Sequence, residues 1–222
     1  MLCGDGQLSY NMVDLGVRRI GQLDAAMFSR AGAQVRRTVL ESDFAMLVLA
    51  ECSHTNNTPI RTQFIGSQVT HEIKNCHMIA VPALLRENWC SYIWDMKLKL
   101  VHVIDPLFSP DRSTAFMEIH KPNISKLEKA LTTCVKEFFE SWSPDWEDWN
   151  INYVKPMIPN AILTQSGILT LIALIDFNGS NFANEQNKHV FNDFSQLLLH
   201  EVLSINGNEA TLPENFIKAT ED

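Results

Sequence analysis

The sequence predicts an α+β domain, a central mixed β-sheet flanked by helices. Three observations point there. Apolar residues at helical spacing recur near the start, the middle and the end of the chain. Three strand-like apolar runs lie together between residues 78 and 107. A short glycine-led apolar helix then follows a strand in the last third. The 222 residues suit one domain, and 45% hydrophobic with 20% charged residues supports a packed core and excludes wholesale disorder.

The elements follow in chain order. Val13, Val17, Ile20 and Leu23 predict a helix near residues 10–28, although Gly16 and Gly21 fall inside it. Phe44 to Ala50 fits helix or strand, and residues 52–75 are polar, turn-rich and unassigned. Met78–Leu85, Trp89–Trp94 and Leu100–Leu107 read as strands, the last two joined by a turn at Asp95-Met96-Lys97-Leu98. Ser125-Lys-Leu-Glu128 reads as a capping box that opens a helix with Leu127, Leu131, Cys134, Val135 and Phe138 on its core stripe. The acidic segment from Ser141 to Asn150, carrying Trp142, Trp146 and Trp149, is a loop into a strand at Ile151–Ile158. An apolar helix spans Gly167 to about Phe177, and Asn178-Gly179-Ser180 ends it. A last amphipathic helix is expected from about Lys188 to Leu203, with an acidic tail at 206–222.

Composition removes several functions. The net charge is −8 without a Lys/Arg cluster, which disfavours nucleic acid and anionic membrane surfaces as partners. The longest apolar run, Ile168 to Ile175, is too short to span a bilayer. Met1-Leu-Cys-Gly-Asp-Gly lacks the pattern of a signal peptide. Five scattered cysteines with no C-x-x-C read as reduced thiols, so an intracellular location, nuclear or cytoplasmic, is expected. His71, Cys76 and His77 lack a fourth ligand in register, and neither a metal nor a cofactor is expected.

One constellation carries chemistry. A turn centred between Met96 and Lys97 places Asn88 opposite Asp105, with Cβ atoms roughly 5 Å apart. A histidine in the first place would make a base and its orienting carboxylate, but the residue is asparagine. Ser166 stands at the start of the apolar helix, where a cysteine would have a lowered thiol pKa. Taken singly, Asp105 before Pro106 is a turn former, Ser166 an N-cap and Asn88 a loop residue.

Taken together they resemble a family. Met78-Ile-Ala-Val-Pro82, Glu87-Asn88-Trp89, Val101-His-Val-Ile-Asp105-Pro-Leu107 and Gln165-Ser166-Gly167 resemble the ubiquitin-like-modifier proteases, the sentrin-specific cysteine peptidases that process SUMO-type modifiers. The family shows an apolar strand ending near proline, then His-Trp, then a strand-end Asp, then Asp-Cys-Gly opening a helix. Asn88 and Asp105 are 17 residues apart, which fits the family's His-to-Asp spacing. Leu8-Ser-Tyr-Asn-Met-Val-Asp14 is similar to its opening segment, with Gln7 in the place of a Trp. The resemblance covers about residues 7–205 and is nearest to the plant-expanded, often transposon-associated branch.

The resemblance implies a papain-like cysteine-peptidase fold, a 1–205 domain and a ubiquitin-like modifier of SUMO type as partner. It puts Asn88 in the His position, Asp105 in the Asp position, Ser166 in the Cys position and Asn160 in the oxyanion Gln position. It implies that Trp89 and Gln7 flank the channel for the modifier's C-terminus. Asn88, Asp105 and Ser166 are then expected to converge. With Asn for the base and Ser for the nucleophile, a degenerate protease is expected, impaired or silent in proteolysis. A non-catalytic modifier-binding module or a decayed transposon-associated copy is the alternative. A serine hydrolase built on Ser166 is disfavoured, because residues 164–168 lack Gly-x-Ser-x-Gly and neither His189 nor His200 has an evident link to Ser166.

Overall fold

Strand alternation builds the molecule in three layers. In the computed structural model the described residues are 7–31, 37–66, 69, 71–146, 149–182, 200 and 205. The terminal helix expected over 188–203 lies outside them apart from residue 200, and so does the whole 206–222 tail. Five strands, β1 (Arg37–Val39), β2 (Met78–Leu85), β3 (Asn88–Asp95), β4 (Leu100–Ile104) and β5 (Asn150–Tyr153), form one sheet in sequence order. The outer pairs β1–β2 and β4–β5 are parallel and the inner pairs antiparallel, so the sheet is mixed.

Odd residues of β2 and β4 and even residues of β3 face one way. Ile79, Val81, Ala83, Cys90, Tyr92, Trp94, Val101 and Val103 join a core closed by α2 (Ser42–Leu49), α3 (Thr58–Ile65) and α4 (Ser113–Phe138). Met78, Ala80, Trp89, Ile93 and Ile104 face a second core closed by α1 (Tyr10–Ala31) and α5 (Ser166–Asp176). A Cβ on Gly16 would stand 2.8 Å from Leu171 Cδ1, so this glycine sets the α1–α5 approach.

Several sequence expectations change. α4 begins at Ser113, and Ser125-Lys-Leu-Glu128 lies inside it instead of opening it. The buried stripe His120, Ile124, Leu127, Leu131 and Cys134 runs straight past Pro122. Packing of that stripe outweighs a proline cost of about 3 kcal/mol. β4 stops at Ile104 and not at Leu107, because Pro106 has no N–H and the Asp105 carboxylate accepts Leu107 N–H at 2.8 Å. β5 is Asn150–Tyr153 and does not reach Ile158, with Pro156 and Pro159 in the segment beyond it. The unassigned 52–75 segment holds α3, capped by Asn57 accepting Ile60 N–H at 3.1 Å.

The turn after β3 is one residue further on than expected. Asp95 pairs with Leu100, and the loop Met96–Lys99 closes with Lys99 at φ 54°. Asp95 Oδ1 accepts the N–H groups of Lys97 and Leu98 at 2.9 and 2.8 Å and draws the turn around itself. Ser91 now opposes Ile104, a slip of two residues that leaves every side chain on its expected face.

β1 has no sequence period to betray it. It is placed by Arg37, whose guanidinium grips Asp24 of α1 at 2.7 and 2.9 Å and bonds the carbonyls of Leu174 and Ile175 at the end of α5.

Two expectations follow. The β2–β3 hairpin turns through Arg86 and Glu87, both left-handed at φ 48° and 70°. Glycine tolerates that conformation, so Glu87→Gly should raise stability by about 1 kcal/mol in chemical denaturation. Burial pushes the Asp95 carboxyl up, but the His102 ring facing it at 3.9 Å and the hydrogen bonds from Leu98 and Lys97 N–H outweigh it and hold it below the ordinary value. A depressed carboxyl stabilises the fold above its unfolded pKa of about 3.9, and that stability is lost as pH falls through the folded value. Asp95→Asn should therefore lower stability at neutral pH, with the gap closing in denaturation curves taken below about pH 4.

Candidate active site

The turn at Arg86-Glu87 delivers Asn88 as the first residue of β3, and Pro106 delivers Asp105 just past β4. Asn88 Nδ2 donates to Asp105 Oδ1 at 2.9 Å. The two meet although the ladder does not set them opposite each other, because both point to the α4 side. Asp105 is 3% exposed. Its Oδ1 also accepts Leu107 N–H, and its Oδ2 lies 3.1 Å from His120 Nε2. His120 in turn contacts Tyr92 Oη through Nδ1 at 2.8 Å.

Ser166 opens α5 on the opposite face of the sheet and is fully buried. Its Oγ accepts Trp89 N–H at 3.1 Å and donates to Leu163 O at 2.8 Å. It thus reaches the backbone beside Asn88, while its hydrogen bonds involve neither the Asn88 nor the Asp105 side chain. The hydroxyl stitches the helix start to β3 with its proton directed at a carbonyl. The next residue, Gly167, is packed so closely that a Cβ would stand 2.9 Å from Leu8 Cβ and 3.1 Å from Trp89 Cδ1.

Trp89 is wholly buried. Its indole donates to Leu8 O at 3.0 Å, and Tyr10 meets its ring edge-on at 5.2 Å. Gln7 Nε2 donates to Glu87 O, so residues 7–10 are laid against this corner. Asn160 sits in an exposed turn at φ 59°, and no hydrogen bond of Ser166 reaches it.

No described thiol stands at the start of α5. Cys90 lies in the core behind Asp105, and burial, followed by the Asp105 charge, pushes its thiol well above the ordinary range. Burial likewise pushes Cys76 up to about 11, and the Thr38 hydroxyl joins its Sγ to His71 Nε2 at 3.2 and 2.7 Å. Among the described residues no cluster of three His, Cys, Asp or Glu could hold a metal ion, and no helix is long and apolar enough to cross a membrane.

The chemistry available follows from these groups. An amide neither takes nor releases a proton near neutral pH, and a carbonyl oxygen cannot deprotonate a hydroxyl. What remains is a buried carboxylate poised at position 88. His120 was missed in the sequence reading because it carries no motif. Its signal was its place four residues before Ile124 on the buried stripe of α4.

Ser166→Ala should leave the buried Trp89 N–H without a partner and cost about 1–3 kcal/mol, read as a lower denaturation midpoint.

Solved structures of the same shape exist. A SUMO protease Ulp1 with its catalytic cysteine oxidised to a sulfonic acid superposes with a TM-score of 0.61 at 16% identity, covering 89% of this chain and 78% of that one. The C-terminal Ulp1 protease domain in complex with Smt3, the yeast ortholog of SUMO, gives 0.58 at 14%, covering 89% and 77%. The Ulp1-like SUMO protease catalytic domain of Chaetomium thermophilum gives 0.56 at 13%, covering 92% and 74%. No protein-family model matches the sequence, and no curated protein matches it. The chain therefore has the papain-like α+β fold of the Ulp1-like SUMO proteases.

Proposed function

We propose that this chain is a SUMO-protease-type domain that docks a ubiquitin-like modifier and no longer cleaves it. The observation that carries the reading is the 2.9 Å bond from Asn88 to Asp105, in which an amide occupies the place of the general base while the orienting carboxylate is retained. Ser166 stands for the nucleophile, Trp89 and Gln7 flank the channel, and Asn160 takes the oxyanion position. The domain spans 1–205, followed by the acidic tail at 206–222, in an intracellular protein. The fold it shares with Ulp1-like proteases supports a cysteine-peptidase ancestry on modifiers of this class. The committed proton of Ser166 supports silence.

Removing the members of a protease triad leaves only roughly 10³–10⁴-fold catalysis over water. The purified chain is therefore expected to bind SUMO and to leave the C-terminal extension of a SUMO precursor uncut. Turnover abolished by Ser166→Ala would overturn the silent reading, and absence of binding to SUMO and ubiquitin alike would overturn the docking one.

Repair offers a second test. Asn88→His with Ser166→Cys should place an imidazole against Asp105 and a thiol at the start of α5, where the helix end favours the thiolate. The double variant is expected to react with a SUMO probe bearing a thiol-reactive C-terminus. Each single variant should not, because a nucleophile and its base act as one unit. A folded double variant that stays unlabelled would mean that the channel has decayed.

A further inference from the structure

Asp105 is held from two sides, and the second side has nothing to do with position 88. On α4, His120 is 1% exposed, and its two ring nitrogens are both engaged, Nε2 on Asp105 Oδ2 at 3.1 Å and Nδ1 on Tyr92 Oη at 2.8 Å. Tyr92, itself wholly buried in β3, has its phenol pushed up by burial and keeps its proton. In the neutral ring the partners fix the tautomer. A carboxylate can only accept, so Nε2 carries the hydrogen, and the bare Nδ1 accepts from the phenol. The result is one directed chain, Tyr92 O–H to His120 Nδ1 and His120 Nε2–H to Asp105 Oδ2. Asn88 Nδ2–H and Leu107 N–H close on the other carboxylate oxygen.

We propose that His120 is a positioning residue. By fixing Asp105 from beneath the sheet it aims the carboxylate at residue 88, and Tyr92 fixes His120 in turn. The ring is further clamped by Phe116, stacked at 6.1 Å, and by Tyr153, edge-on at 6.2 Å. Loss of the base at position 88 leaves this support standing, which is why the Asp105 carboxylate stays ordered with only an amide to receive. The inference bears on the proposed site but stands on contacts present in the unaltered chain, so the first test needs no catalysis.

In ¹⁵N-labelled protein at neutral pH, His120 should show hydrogen on Nε2 and none on Nδ1. The Asn88 side-chain amide should exchange slowly with solvent. His120→Gln, which can present an amide nitrogen where Nε2 stands, should keep Asn88 within about threefold of the unaltered protein, and His120→Leu should speed its exchange about tenfold, the loss of one hydrogen bond's ordering. The backbone amides of Val81 and Ile93 in the central sheet should not change. An unchanged Asn88 amide in folded His120→Leu overturns the proposal. Should His120→Leu not fold, an Nδ1–H tautomer in the unaltered protein, or fast Asn88 exchange in His120→Gln, overturns it equally.

A second arm uses the repaired Asn88→His, Ser166→Cys background, where His120→Gln should label and His120→Leu should label at least about tenfold more slowly. Equal labelling rates in the two would contradict positioning. Failure of the whole repaired series, with the Asn88 exchange pattern intact in the unrepaired protein, sinks the functional reading and leaves His120 in its role.

Discussion

The buried carboxylate of Asp105 is the constraint on which the rest of the corner depends. A carboxylate 3% exposed must have its lone pairs filled, because an unpaired one would cost several kcal/mol. Its partners come from β3, from the loop beyond β4 and from α4. Satisfying one side chain thus ties together the β-ribbon, the exit of β4 and the helix on the far face. Pro106 contributes by ending the ladder there, which frees the Asp105 side chain to fold back on Leu107 N–H. The same logic recurs at the other end of the ribbon. There Asp95 accepts Lys97 and Leu98 N–H and faces His102 across 3.9 Å.

Across the sheet, Ser166 performs a mechanical task with a group whose place is suited to chemistry. Its oxygen takes the N–H of Trp89, and its hydrogen goes to Leu163 O. The start of α5 is thereby pinned to β3 beside Asn88, and Gly167 admits Leu8 and Trp89 at close range. A protein can keep this docking geometry while losing proton transfer, since the hydrogen bonds that hold the scaffold do not require a base. A serine suits this mechanical task, because a hydroxyl makes stronger hydrogen bonds than a thiol.

The fold was legible where period and burial agree. β2 and β3 alternate into two cores, and α1 and α5 carry uninterrupted apolar faces, so their positions could be read to within a few residues. Legibility failed where a single side chain decides the backbone. Asp95 moved the turn by one residue. The Ser125–Glu128 pattern argued for a helix start that the stripe through His120 and Ile124 overrides. β1, three residues long, exists because Arg37 finds Asp24 and the end of α5, contacts no local pattern announces. At the site, the pairing of Asn88 with Asp105 was legible because a register slip of two preserves the face. His120 was not, since only tertiary packing brings α4 beneath Asp105.

The central claim is that the scaffold of a protease site persists around a missing base and nucleophile. Its most direct test is a crystal structure of the Asn88→His, Ser166→Cys variant. The expected result has the introduced imidazole bonded to Asp105 Oδ1 at about 2.8–3.0 Å, its other nitrogen turned toward the introduced sulfur, and His120 still on Oδ2. An imidazole turned away into solvent, with Asp105 held by His120 and Leu107 alone, would contradict it.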